Sequence, residues 1–329
     1  MCEICYVDEA IKGKIIARNS EFHKVASSPF GEDDEVGMLN LIDAESRTAI
    51  LRRADPTKVY DLSVDHFIGM PGWTGAGDQP YQIWMTHTPQ GEIVGDSMKK
   101  GKDANALVAY SGDGISMYTH CGTHIDTFNH FGYDGAIFNN FTAHDHLGSR
   151  AWRKCGAETQ PPIFARGILL DIARFRGVDW LKDGEAIGND ELDACAKKEG
   201  VAIGRGDFVI VRTGQMERCL AEKKWGGYAG GDAPGVKFEN CYWCQEKQVA
   251  AICMDTWGCE VRPNETTEAN QPWHWVVIPA MGLCMGEIFY LKELADDCEN
   301  DGVYEFFFCG PPLIITGGTG SPINPQAIK

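Results

Sequence analysis

Apolar residues fall into short runs broken by polar turns, and their spacing predicts a mixed α/β fold. Residues 59–63 (Val-Tyr-Asp-Leu-Ser) read as the first core strand, after a helix over 43–53 with Asp43 as its N-cap. Residues 106–110 and 114–119 are short β-like runs around a turn at 111–113. Residues 166–171 (Arg-Gly-Ile-Leu-Leu-Asp) form a buried-type strand. A helix starts at Asn189-Asp190-Glu191-Leu192, runs to about Lys198 and stops at Gly200, and residues 208–212 give the next strand. Strand, helix, strand is a βαβ-like unit. Residues 239–247 read as helix and 249–254 as strand. Asp255 follows, where α/β folds place functional polar groups and where a cap or turn residue fits equally. Residues 273–277 and 283–289 predict the last long apolar strands, and 311–327 a final strand with a Gly/Pro-rich tail. Residues 1–34 read as an arm and linker with a short helix, 35–329 as a single domain.

Two Gly-rich stretches interrupt this pattern. Residues 69–95 hold Trp73, Tyr81 and Trp84 and read as a long functional loop whose aromatics suit an organic ring or ordinary packing. Residues 226–235 lack the lysine and spacing of a phosphate loop.

Charge narrows the partners. The net charge of -17 repels nucleic acid and anionic membranes. No apolar run approaches the roughly 20 residues that span a bilayer. Thirteen scattered cysteines, an odd number, predict buried thiols in a reducing, cytoplasmic compartment. The C-x-x-C pairs Cys2/Cys5 and Cys241/Cys244 lie too far apart for a compact zinc pattern.

The chemistry concentrates in His120-Cys121-Gly122-Thr123-His124-Ile125-Asp126-Thr127-Phe128-Asn129-His130-Phe131. His120, His124, Asp126 and His130 are all even-numbered, so on an extended segment they share one face. A straight strand would set the His120 and His124 Cα atoms roughly 13 Å apart. Gly122 allows a kink that brings them closer. Two imidazoles and a carboxylate suit Zn²⁺, Mn²⁺ or Fe²⁺ with coordination positions left open. His130 then stands as a proton-transfer group. His144-Asp145-His146 would put two more histidines on one face of a strand, though a solvated loop is the commoner outcome.

The pattern H-x-G-T-H-x-D-x-x-x-H-F resembles the signature of the cyclase family of metal-dependent hydrolases, which includes bacterial kynurenine formamidase and isatin hydrolase. Asp61-Leu62-Ser63, Met70-Pro71-Gly72-Trp73, Gly206-Asp207 through Thr213-Gly214, and Met254-Asp255-Thr256-Trp257 resemble further family segments. His274 and Glu287 resemble its closing pair. Phe128 departs from the pattern, standing where the family usually has proline.

The resemblance implies an α/β fold with a swivelling β/β/α barrel-like core of mixed sheet and flanking helices. It implies His120, His124 and Asp126 as metal ligands, with Asp126 bridging to a second ion on His274 and Glu287. Zinc or manganese, one or two per chain, are open. His130 would be the acid/base, Thr123 would orient a ligand through its hydroxyl, and Trp73, Trp84 and Phe128 would face the substrate. The implied activity is hydrolysis of an amide-type C–N bond in a cyclic amide, lactam or N-formyl amide, by a homodimer or homotetramer. A metal-dependent lyase, dehydratase or cyclising enzyme acting on a small hydroxy acid is the alternative.

Overall fold

A computed structural model describes Val25 and residues 27–90, 109–223 and 228–329. The predicted N-terminal helix, the Cys2/Cys5 pair and most of the 106–110 run lie outside the described residues.

Nine strands form one curled, half-barrel sheet: β1 (Val59–Asp61), β2 (His124–Asp126), β3 (Phe164–Asp171), β4 (Phe208–Arg212), β5 (Ala251–Met254), β6 (Cys284–Glu287), β7 (Glu305–Cys309), β8 (Gly320–Pro322) and β9 (Gln326–Ile328). Their order is β1-β9-β7-β3-β4-β5-β6-β2-β8. The middle four strands, β3 to β6, run parallel. The strands outside them pair antiparallel. The parallel strands are apolar on both faces because both faces are covered. Ile168, Leu170, Val209, Val211, Ile252 and Met285 enter one apolar layer; Leu169, Phe208, Ile210, Cys253 and Cys284 enter the other.

Helices close the two layers. Helix α1 (Ala44–Leu51) begins at Asp43, whose side chain accepts from Ser46 N at 2.7 Å. Helix α2 (Asn189–Glu199) stops where Gly200 turns left-handed at φ 72°, a conformation that glycine adopts without steric cost. Helix α3 (Gln215–Glu222) follows β4, and helix α4 (Asn240–Lys247) precedes β5. Helices α2 and α4 bury Leu192, Cys195, Cys241, Trp243 and Cys244 in the first layer. A one-turn helix α5 (His274–Val277) adds Val276 and Val277 there. Helix α6 (Lys292–Asp301) buries Leu294, Ala295 and Cys298 in the second. Each fully buried leucine or phenylalanine contributes roughly 1.5–3 kcal/mol. No helix among the described residues is long and apolar enough to cross a membrane.

Three expectations change. Residues 273–277 are not a strand: His274–Val277 is helical, because a short apolar run fits a buried helical turn as well as a strand. The 69–95 stretch is not all loop: Gln82–His87 pairs antiparallel with Gly112–Ser116, so the expected turn at 111–113 lies partly within a strand. His144 and His146 sit on a helical turn, Ala143–His146, capped by Thr142. Strand β7 and helix α6 were not anticipated.

Candidate metal centre

Strand register builds the site. Across the sheet His124 stands opposite Glu287 of β6 on one side and Pro322 of β8 on the other. Alternation sends Ile125 into an apolar layer and turns His124 and Asp126 to the opposite face. Only those two ligand candidates lie on the strand. His120 and His130 arrive from the turns before and after it, so one extended segment does not carry all four.

Gly122 makes the first turn, at φ 71°. A Cβ there would lie 2.7 Å from the His66 ring. The turn brings His120 Nδ1 to 2.7 Å from Asp126 Oδ1, with the His120 and His124 rings 5.0 Å apart. Gly320 on β8 also lacks a Cβ, which would fall 2.6 Å from the His120 ring. On the far side His130 N bonds Thr127 O, and the His130 ring lies 4.0 Å from that of His120. His130 Nε2 is 3.8 Å from Asp126 Oδ2.

The second half comes from α5 and β6. His274 Nε2 lies 3.2 Å from Glu287 Oε1, and its Nδ1 lies 2.6 Å from Glu260 Oε1. His124 Nε2 is 3.4 Å from both Asp126 Oδ1 and Glu287 Oε2. Two donor groups result, His120/His124/Asp126 and Asp126/His274/Glu287, each with its atoms within 4.8 Å of one another. Asp126 belongs to both.

The bonding fits a cation. His124 Nδ1 donates to Gly122 O at 2.9 Å, which leaves Nε2 facing inward as the nitrogen that can offer a lone pair once its proton is displaced. That Nε2 and Asp126 Oδ1 are buried and make no well-aligned hydrogen bond, although His120 Nδ1 lies 2.7 Å from the Asp126 oxygen. Burial disfavours a charged His124, but the Asp126 and Glu287 carboxylates 3.4 Å from its Nε2 outweigh it and lift its pKa to about 10. His274 rises to about 10 against the same burial cost, through Glu260 and Glu287. Burial would raise Asp126, yet the surrounding imidazoles hold it well below the usual carboxylate range. Without an ion His124 and His274 therefore hold protons that a cation must displace. His130 differs: burial first, then the charge of His120, pushes it down to about 3.

The remaining sequence candidates separate. The Thr123 hydroxyl donates to Ile288 O at 2.6 Å and accepts from Val64 N at 2.9 Å, so it ties backbone segments together beside the ligands and reaches none of them. Phe128 is fully buried against Phe138, 5.2 Å between rings, and its side chain packs in the core. Trp73 packs edge-on to Trp257 at 4.8 Å, in a cluster that includes Ile288, next to Glu287. Trp84 is half-exposed on the Gln82–His87 ribbon. His144 points to solvent, and Cys241 and Cys244 are buried on α4. Asp255 accepts from Thr213 N, Thr213 Oγ1 and Gly214 N, just before α3, in a cap-and-turn role. Sequence reasoning missed Glu260, His66 and Thr319. His66 was one of nine histidines and could have been flagged, whereas nothing marks Glu260 or Thr319 before the chain is folded.

A family model described as "Putative cyclase" matches residues 60–261, more than half of the chain. The chain belongs to the cyclase family. The matched span covers the first donor group and Glu260, and this cyclase adds His274 and Glu287 beyond it. A solved structure described as a novel cyclase is similar at a TM-score of 0.78 and 27% identity, over 91% of this chain and 98% of that one. Isatin hydrolase A from Ralstonia solanacearum shares the fold at a TM-score of 0.58 and 20% identity, covering 85% and 94%. Isatin hydrolase A from Labrenzia aggregata, bound to benzyl benzoate, does so at 0.58 and 15%, covering 82% and 93%. A comparison with curated proteins found no match.

Proposed function

We propose that this cyclase is a metal-dependent hydrolase that opens an amide-type C–N bond of a small organic substrate: a cyclic amide, a lactam or an N-formyl amide. The reading is carried by the buried His/Asp/Glu cluster with its two overlapping donor groups, in which His124 Nε2 and Asp126 Oδ1 make no well-aligned hydrogen bond. Buried polar atoms nearly always find partners. With the His124 proton displaced these two are a lone pair and an anionic oxygen, which suit a divalent cation. His120, His124 and Asp126 would hold one ion, and Asp126, His274 and Glu287 a second. Zinc and manganese both suit this nitrogen and oxygen set. Bound there, the cation supplies Lewis acidity toward water and a carbonyl oxygen.

The chain's own residues move the proton. His130 is the imidazole of the four that reaches the surface, 22% exposed, against 3% for His120, 1% for His124 and 2% for His274. From that position His130 would take a proton from the attacking water and pass it to the leaving nitrogen. Water's oxygen ends on the acyl carbon, and the C–N bond breaks as the nitrogen gains that proton. The Trp73–Trp257 pair supports an apolar wall for an organic ring. Exposed Ile83, Trp84, Met85 and Ile115 on the two-stranded ribbon support a homodimer or homotetramer, which sedimentation would test. Buried thiols fit a cytoplasmic setting.

The test offers N-formyl aryl amides and lactams in ¹⁸O-water, with and without chelator. The expected product is a carboxylate carrying solvent oxygen, and chelation abolishes it. Turnover that leaves no solvent oxygen in the product would sink the hydrolase reading and favour a lyase.

A further inference from the structure

We propose that Glu260 is a positioning residue that gives the His274–Glu287 half of the centre its hold on a cation. This inference rests on the metal-centre reading above. Three histidines of the cluster are backed by three acceptors of different chemistry. His124 Nδ1 donates to a neutral carbonyl, Gly122 O, at 2.9 Å. His120 Nε2 meets a hydroxyl, Thr319 Oγ1, at 3.3 Å. His274 Nδ1 meets a carboxylate, Glu260 Oε1, at 2.6 Å. A carboxylate on that ring proton fixes the tautomer and makes the opposite nitrogen a stronger donor.

Glu260 is itself held rigidly. It is 3% exposed, and its oxygens also accept from His274 N and Trp273 N, both at 3.3 Å, and from Asn264 Nδ2 at 2.9 Å. One side chain thus anchors the backbone that starts α5 and orients the ring that α5 presents. Charge adds to geometry. The His274 half has Asp126 and Glu287 among its donors with Glu260 behind them, while the His120–His124 half has Asp126 alone. The two halves are unequal, and Glu260 acts on one of them.

Equilibrium dialysis of the full chain against graded Zn²⁺, read as bound zinc per chain, tests this. The proteins are wild type, Glu260→Gln, Glu260→Asp and His124→Ala, with circular dichroism reporting folding. Wild type is expected to take two equivalents. Glu260→Gln should weaken one of them by roughly 10–100-fold and leave the other unchanged. Glu260→Asp, which restores the carboxylate, should recover part of the loss, and His124→Ala should weaken the other equivalent. The inference is overturned if Glu260→Gln binds zinc as wild type does, or if it weakens both equivalents alike. It is also overturned if wild type holds one ion that Glu260→Gln does not disturb. If Glu260→Gln does not fold, Glu260→Asp carries the test: selective weakening of one equivalent supports the inference, and unchanged binding overturns it. Wild type that takes up no zinc would instead overturn the metal-centre reading, a result distinct from the others.

Discussion

Two groups of buried polar residues sit at the carboxyl ends of the parallel strands, and they are finished differently. At the ends of β3, β4 and β5, polar side chains close on one another. Asp171 accepts from Arg212 Nη1 at 2.7 Å and Arg174 N at 3.0 Å, and Asp255 is saturated by Thr213 and Gly214. At the end of β6, against β2, the cluster stays open: His124 Nε2 and Asp126 Oδ1 make no well-aligned hydrogen bond. Both groups are desolvated, so burial alone does not tell structure from chemistry. The donor set does: the first group pairs carboxylates with a guanidinium and with backbone N–H groups, while the second gathers imidazoles and carboxylates around shared points. The closed group strengthens the sheet, while the open one keeps donor atoms available to a ligand.

The largest effect should come from removing the shared ligand of the open cluster. Asp126→Asn is expected to lower bound cation in both positions and to reduce hydrolysis to the level of chelated wild type, as elemental analysis and a substrate assay would show. Wild-type cation content in that variant would break the comparison. Next, His130→Ala should cut kcat by about 10²–10⁴-fold with cation content unchanged. Loss of the ion would make His130 a ligand instead of a proton carrier.

Changes in the closed group should appear in stability. Thr213→Val removes one hydroxyl from buried Asp255 and should cost about 1–3 kcal/mol in urea unfolding, with cation content per folded chain unaltered. The smallest effect is a pH dependence at Glu199, whose Oε1 accepts from Asp171 N. Burial lifts Glu199 to about 7, above the ~4.3 of an unfolded chain. The folded state therefore binds that proton more tightly, and the cost of the carboxylate is absent at low pH, grows from about pH 4.5 and is complete above 7. Glu199→Gln should remove this cost, so its urea midpoint should rise relative to wild type between pH 5 and 8. A constant gap across that range would place the proton elsewhere.

The closed group was the more legible of the two in the sequence. Its strands are continuous apolar runs, and 208–212 was bounded as found, because a strand buried on both faces leaves few other readings. The open cluster was legible in its types and not in its geometry. Even spacing over 120–130 suggested one extended face, but Gly122 turns the chain, and the strand is only His124–Asp126. His274 was placed on a strand because Trp-His-Trp-Val-Val is rich in β-favouring residues; one turn of helix is too short to show its period. Phe128 looked like a pocket residue from its place in the motif, yet packing against Phe138 decided its position. Glu260 carried no local signal, since its partners lie at 264 and 273–274 and meet it only in the fold.

The pairing of β2 has a consequence for how this sequence can change over generations. Strand loops drift readily in length, but His124 and Asp126 flank Ile125 on a segment fixed on both sides by Glu287 and Pro322. A point substitution there removes one donor. Slipping the strand by one residue would bury both donors in the apolar layer and push Ile125 among the imidazoles. Insertions and deletions should therefore be purged from this strand far more strictly than substitutions. The loops that carry His120 and His130 into place are where length can vary and the pocket can be reshaped.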